Sequence, residues 1–178
     1  MSKLTVPVRP QDHLIGPTNA PVTLVEYGDF ECPYCGQAHY ILQEILEKMG
    51  SELLFVFRHF PLTQVHPHAE AAALAAEAAG VQGRFWEMHD ALFENQRALE
   101  DLEILDYADS FDLDLGQFEE DMRKARHLPR IKEDFMSGVR SGVNGTPTFF
   151  INGVRHDGSY DFPVLTRALR DAAMARAP

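Results

Sequence analysis

The sequence predicts an α/β fold in which a run of helices separates a βαβ unit from a closing hairpin. Three observations predict it. Val22-Thr23-Leu24-Val25-Glu26-Tyr27 and Leu53-Leu54-Phe55-Val56-Phe57 are β-rich runs with one helical stretch between them. From His66 to about Gly142 the apolar spacing is that of helix after helix. Sheet character returns only at Thr148-Phe149-Phe150-Ile151.

Residues 1–20 are expected to form an extended lead-in that ends in the turn Gly16-Pro17-Thr18-Asn19. After the first strand a helix is expected from Cys32. Ala38, Ile41, Leu42, Ile45, Leu46 and Met49 recur at spacings of three and four, and Gly50 stands where a C-terminal cap belongs. A strand, a helix and a second strand in this order fit a parallel crossover. The middle breaks near Gly80-Gly83, Gln96-Leu102, Leu113-Gly116 and Leu128-Pro129, which makes four or five helices. Phe85, Trp86, Met88, Leu92 and Phe93 fall at helical spacings and are read as their core. Asn152-Gly153 is a type I′ hairpin signal, with Val154-Arg155-His156 as the return strand. A last amphipathic helix is expected from about Phe162 to Ala175.

A chain of 178 residues is about one domain, or one domain with an insertion, and can bury a core without a metal or disulfide staple. Its net charge of −11 argues against a nucleic-acid or anionic-membrane surface, since both need clustered Lys and Arg. Met1 to Gly16 has no apolar run of signal-peptide length, and Pro7 and Pro10 interrupt it. The alanine-rich stretch Ala69 to Ala79 is too short for a membrane span and contains Glu70 and Glu77. A cytoplasmic protein is the expectation, or a periplasmic one if a leader has been removed.

The two cysteines, Cys32 and Cys35, are the only ones and lie three positions apart at a helix start. Thiol–disulfide exchange needs one thiolate that attacks and a second thiol close enough to release the mixed disulfide. The helix N-terminus supplies unpaired N–H groups and the positive end of the dipole, which favour the thiolate of Cys32. Cys32 is therefore expected as an exposed nucleophile and Cys35 as the resolving thiol. Pro33 suits the first turn because its missing N–H has no partner there anyway. The rival for such a pair is half a zinc site. Zinc would need two more ligands, and His66-Pro67-His68 is the only tight histidine pair. No metal is expected.

Two further positions bear on the pair. Pro147, in Gly145-Thr146-Pro147-Thr148, precedes a strand and is open to a cis bond, although an ordinary X-Pro bond is trans. Glu26 lies in an apolar strand six residues before Cys32. Turned inward it would have a raised pKa and could take the proton of Cys35. Strand alternation could equally turn it to solvent.

Val25-Glu26-Tyr27-Gly28-Asp29-Phe30-Glu31-Cys32-Pro33-Tyr34-Cys35, the helical middle, and Gly145-Thr146-Pro147-Thr148-Phe149-Phe150-Ile151-Asn152-Gly153 together resemble the DsbA-like branch of the thioredoxin superfamily. The likeness runs from about Gly16 to the last helix. It implies a thioredoxin fold with an inserted helical domain, residues 1–63 and 139–178 forming the former and 64–138 the latter. It implies that Cys32 and Cys35 are the redox pair and that Pro147 is the family's cis-proline. Thr146 would pair its backbone with an extended substrate, and Glu26 would be the buried acid. Pro33 and Tyr34, between the cysteines, would also meet substrate.

The chain departs from the periplasmic oxidases in carrying Pro-Tyr where they carry Pro-His. Losing that histidine removes a positive neighbour of the thiolate, so a less oxidising protein is expected. The same dipeptide occurs in glutaredoxins, whose potentials lie around −200 to −230 mV. Asp29 and Glu31 would raise the Cys32 pKa slightly unless paired elsewhere. His66 and His68 are read as a turn before a helix, His59 as bordering the substrate groove or as a loop residue, and His39 as surface or domain-facing.

The functional expectation is a protein-disulfide oxidoreductase acting on protein or peptide thiols, with no cofactor beyond its own disulfide and an unidentified redox partner. Two rivals share the fold: a redox-responsive sensor or binding module, and a glutathione-dependent transferase or isomerase. Cys35 counts against the second.

Overall fold

The runs Val22–Gly28 and Leu53–His59 are buried at all but one position, as strands covered on both faces must be. The computed structural model describes residues 2–175. In chain order it contains β1 (His13–Ile15), β2 (Val22–Gly28), α1 (Pro33–Met49), β3 (Leu53–His59), α2 (Ala69–Val81), α3 (Phe85–Glu94), α4 (Asp101–Ser110), α5 (Leu115–Arg123), α6 (Leu128–Arg140), β4 (Thr148–Ile151), β5 (Val154–His156) and α7 (Phe162–Met174). The sheet order is β1-β3-β2-β4-β5. Only β2 and β3 are parallel, joined by α1, while β1, β4 and β5 pair antiparallel. The hairpin between β4 and β5 turns on Asn152 and Gly153, both at positive φ (48° and 80°), as a type I′ turn requires.

Both faces of the sheet are covered. Leu24, Phe55 and Phe57 join the larger core with α1, α7 and the helices between β3 and β4. Val25, Tyr27, Val56 and Phe150 form a second core, against which Phe135 of α6 packs. Helix α6 comes very close to the sheet at Gly138. A Cβ there would lie 2.8 Å from the Phe60 ring and 3.0 Å from that of Tyr27. Tyr27 and Ser137 share a hydrogen bond of 2.7 Å across the same contact.

The lead-in, expected as an extended segment without a named strand, contributes β1 to the sheet edge beside β3. What holds it there is a buried ion pair. The Arg58 guanidinium donates to Asp12 Oδ2 at 2.8 Å and to the carbonyls of Val6 and Pro7 at 2.9 Å each, with both charged side chains fully sealed from solvent. The same residue explains why β3 runs past Phe57: Arg58 finds partners inside the fold, so burial does not stop at the last apolar residue. Removing one partner of such a pair leaves the other charged and unpaired. Arg58→Met should therefore cost about 3–5 kcal/mol in urea unfolding.

Candidate active site

Strand β2 ends at Gly28, and a short turn brings the chain to Cys32, the N-cap of α1. Cys32 has extended backbone angles (φ −70°, ψ 121°), and Pro33 takes the first helical position. Cys35 thus falls one turn inside the helix. The next residue is Gly36, and the end of the Gln96 side chain takes the space a Cβ would fill. A Cβ on Gly36 would lie 2.2 Å from Oε1 of Gln96, which comes from the loop between α3 and α4. Gln96 uses that approach to donate from Nε2 to the carbonyls of Phe30 and Cys32, both at 2.8 Å.

The loop before β4 meets the helix start from the other side. Its Thr146–Pro147 peptide is cis, and the Cys32 thiol contacts the Thr146 carbonyl oxygen at 3.3 Å. Contrary to expectation, Cys32 is not exposed: only 4% of its surface is accessible, because this loop and the Gln96 clamp close over it. The motif is exposed instead between its cysteines, with Tyr34 at 60%. Pro33 is exposed beside it. The Thr146 hydroxyl is buried without another partner, so it is free to turn toward a Cys32 thiolate once the carbonyl contact loses its proton.

The two thiols differ sharply in proton affinity. The Cys35 thiol hydrogen-bonds the Cys32 sulfur, and with help from Thr146 and the N–H groups of Cys35 and Tyr34 it brings Cys32 down to about 5, against the opposing effect of burial. Burial, then the bond to Cys32 and the charge of Glu26, pushes Cys35 well above its ordinary value. Glu26 is also inside. With both sheet faces covered, either side of the strand is interior, and Glu26 keeps 2% exposure. Burial, then the Cys32 charge, pushes it up to about 8.

Asp29 and Glu31 are paired elsewhere. Asp29 Oδ2 accepts from the Leu62 N–H and meets His66 Nδ1, both at 2.8 Å. Glu31 accepts from the His68 N–H at 2.6 Å and meets its Nδ1 at 3.0 Å. Burial disfavours the His66 imidazolium, but Asp29, Cys32 and Glu31 outweigh it and raise its pKa. The turn before α2 therefore sets beside Asp29 an imidazole whose protonated form is favoured.

His59 does not border a groove; it is buried at 1% exposure and meets Glu77 at 2.9 Å. His13 meets the same Glu77 oxygen at 2.7 Å, and Arg130 Nε lies 3.7 Å from it. His13, His59 and Glu77 form a buried cluster close enough to share an ion, beside the Arg130 guanidinium. Of the two places expected for His39 the structure takes the domain-facing one: it is buried against Phe93 of α3 (rings stacked, centroids 5.3 Å apart). With His89 and Asp90 it forms a second group close enough to share an ion. Gln96 and Tyr160 were not foreseen. Tyr160 packs at 6.2 Å from Phe149 and borders the cleft beside Pro147. Neither residue type marks a site, and only the approach at Gly36 would have pointed to Gln96.

Two measurements follow. Thiolate absorbance of the reduced protein should titrate near pH 5 and disappear in Cys32→Ser, while Cys35→Ala should move the midpoint upward by removing the thiol donor that lowers it. Because the folded pKa of Glu26 is raised, its protonated form supports the fold at low pH. That support is lost as pH rises from about 4.5 through about 8. Glu26→Gln should therefore flatten this decline and stabilise the reduced protein near pH 8 by on the order of 3 kcal/mol.

A family model described as Thioredoxin matches residues 9–171. The chain is 53% identical over 170 residues to a Na(+)/H(+) antiporter NhaA 1 of Salinispora arenicola, covering 95% of this chain and 26% of that protein. An NhaA 1 of Mycolicibacterium vanbaalenii is 45% identical over 170 residues, covering 94% and 28%. The chain thus spans about a quarter of the length of the curated relatives it matches. Among solved structures, α-DsbA1 of Wolbachia pipientis superposes with a TM-score of 0.83 at 25% identity, over 97% of this chain and 96% of that one. A thioredoxin-like oxidoreductase from Silicibacter pomeroyi gives 0.82 at 27% identity, over 96% and 95%. BdbD of Bacillus subtilis shares the fold, with a TM-score of 0.80 at 23% identity over 92% and 93%. The chain belongs to the thioredoxin family, in its DsbA-like branch.

Proposed function

We propose that this protein exchanges its Cys32–Cys35 dithiol and disulfide with cysteines of proteins or peptides. The observation that carries the reading is the placement of Cys32 at the cap of α1 with Cys35 one turn inside, against the cis Thr146–Pro147 loop at 3.3 Å, an arrangement that shifts the two thiols in opposite directions. In the reducing direction the Cys32 thiolate attacks a substrate disulfide. A Cys32–substrate bond forms and one substrate thiolate leaves. Cys35 then gives its proton to ionised Glu26 and attacks Cys32. The Cys32–Cys35 disulfide forms, the second substrate thiolate leaves, and two electrons have passed to the substrate. The oxidising direction is the reverse. The chain at Thr146 pairs with extended substrate in the manner of strand addition, with Pro33 and Tyr34 at the rim. No cofactor is needed beyond the two sulfurs.

A stabilised thiolate favours the reduced form and makes the disulfide a better oxidant. Cys32, at about 5, lies between thioredoxin at about 7 and DsbA at about 3.5. This supports a protein less oxidising than the extreme members. Insulin reduction tests the activity: wild type should turn over and Cys32→Ser should not. A folded wild type without turnover would overturn the reading in favour of a sensor module.

A second reading comes from the relatives. In them a segment like this chain makes up about a quarter of a protein named as a Na(+)/H(+) antiporter. We infer that the exchange serves thiols of an ion-transport partner. Cys35→Ser should then trap mixed disulfides in the membrane fraction of cells, and adducts confined to soluble proteins would set this second reading aside.

A further inference from the structure

Glu26 and Cys35 are sealed at 2% and 0% exposure, so the proton released when Cys35 attacks needs a way out that does not pass through bound substrate. A cavity of about 200 Å³ begins at Glu26 and is lined further by His39, His89, Gln43 and Asp90. Three buried polar atoms of these residues have no protein partner: Glu26 Oε1, His39 Nε2 and His89 Nε2. Leaving such atoms unpaired costs on the order of 1–3 kcal/mol each. The cavity has room for several waters at roughly 30 Å³ each, and these would satisfy them. Its outer end is wet, since Gln43 is exposed and the Asp90 side chain keeps 46% of its surface.

The histidines suit proton transfer. His89 Nδ1 meets Asp90 Oδ1 at 2.8 Å, which places the ring proton on Nδ1 and leaves a lone pair on Nε2. His39 Nε2 lies 3.7 Å from Glu94 Oε1, beyond hydrogen-bonding reach, and the two imidazole rings are 5.6 Å apart. Charged and titratable groups reach the pair from each side: Asp90 and Glu94 from α3, His59 from β3. Glu26 meanwhile feels the Cys32 charge and acts on Cys35 with its own. Burial outweighs the two carboxylates and lowers both histidines, His89 to about 4, so both rings are neutral bases at ordinary pH.

We propose that this cavity is the proton path of the exchange site, carrying the Cys35 proton from Glu26 through water, His39 and His89 to Asp90 and solvent. The inference rests on the oxidoreductase reading. Each resolving step moves one proton from the Cys35 thiol to the Glu26 carboxylate while the Cys32–Cys35 bond forms and the substrate thiolate leaves. The path then returns Glu26 to its ionised form. In the opposite direction it delivers the proton.

The test is rapid mixing of the reduced protein with a nitrobenzoate disulfide whose leaving thiolate is coloured. The first equivalent reports attack by Cys32 and the second reports resolution by Cys35. In His39→Ala the second release should slow roughly tenfold while the first keeps its rate, and added imidazole should restore the second. Leu46→Phe, which fills the cavity from its rim and leaves every titratable group in place, should also slow the second release. Wild-type second release in both variants, or a slow one that imidazole leaves unmoved, would overturn the path. A wild type that releases neither equivalent would instead overturn the oxidoreductase reading beneath it.

Discussion

The unequal burial of Cys32, at the cap of α1, and Cys35, sealed one turn inside it, makes two chemically identical side chains differ in proton affinity. The Cys35 thiol that stabilises the Cys32 thiolate must itself lose its proton before it can attack. The proposed exchange therefore needs a base within the protein, and the buried carboxyl proposed for it is Glu26, in the adjoining strand six residues before Cys32. Its burial costs stability at neutral pH, a recurring pattern where a site must hold a group out of its preferred state.

The helices between β3 and β4 do more than cover the sheet. Gln96 reaches from the α3–α4 loop to the Phe30 and Cys32 carbonyls, and Gly36 makes room for it. His66 and His68, in the turn leading to α2, take up the two acids that flank Cys32. Three separate side chains from this helical section thus hold the loop that presents the nucleophile. A displacement of these helices would be felt at the Cys32 sulfur, and Cys32 chemistry would in turn bear on their packing.

Much of this was legible in the residues. Periodicity located both central strands, an intervening run expected as four or five helices and found as five, and the closing hairpin, because each is long or carries a turn signal as specific as Asn152-Gly153. The three residues of β1 carry no such pattern, and their pairing depends on Arg58 and Asp12, forty-six positions apart. Alternation could not say which way Glu26 points, since that depends on whether a second layer covers the other face. The buried state of Cys32 and the place of His39 likewise come from elements distant in sequence. The spacing of Cys32 and Cys35 is a local fact and was readable; the closure over them is tertiary and was not.

The central claim is that the unequal pair is a working redox couple. It is tested most directly by equilibrating the protein with glutathione buffers of graded ratio and counting free thiols by alkylation and mass spectrometry. A single two-electron transition is predicted, with a potential between the roughly −270 mV of thioredoxin and the roughly −120 mV of DsbA. A protein in which Cys32 and Cys35 form no bond with one another at any ratio would contradict the account.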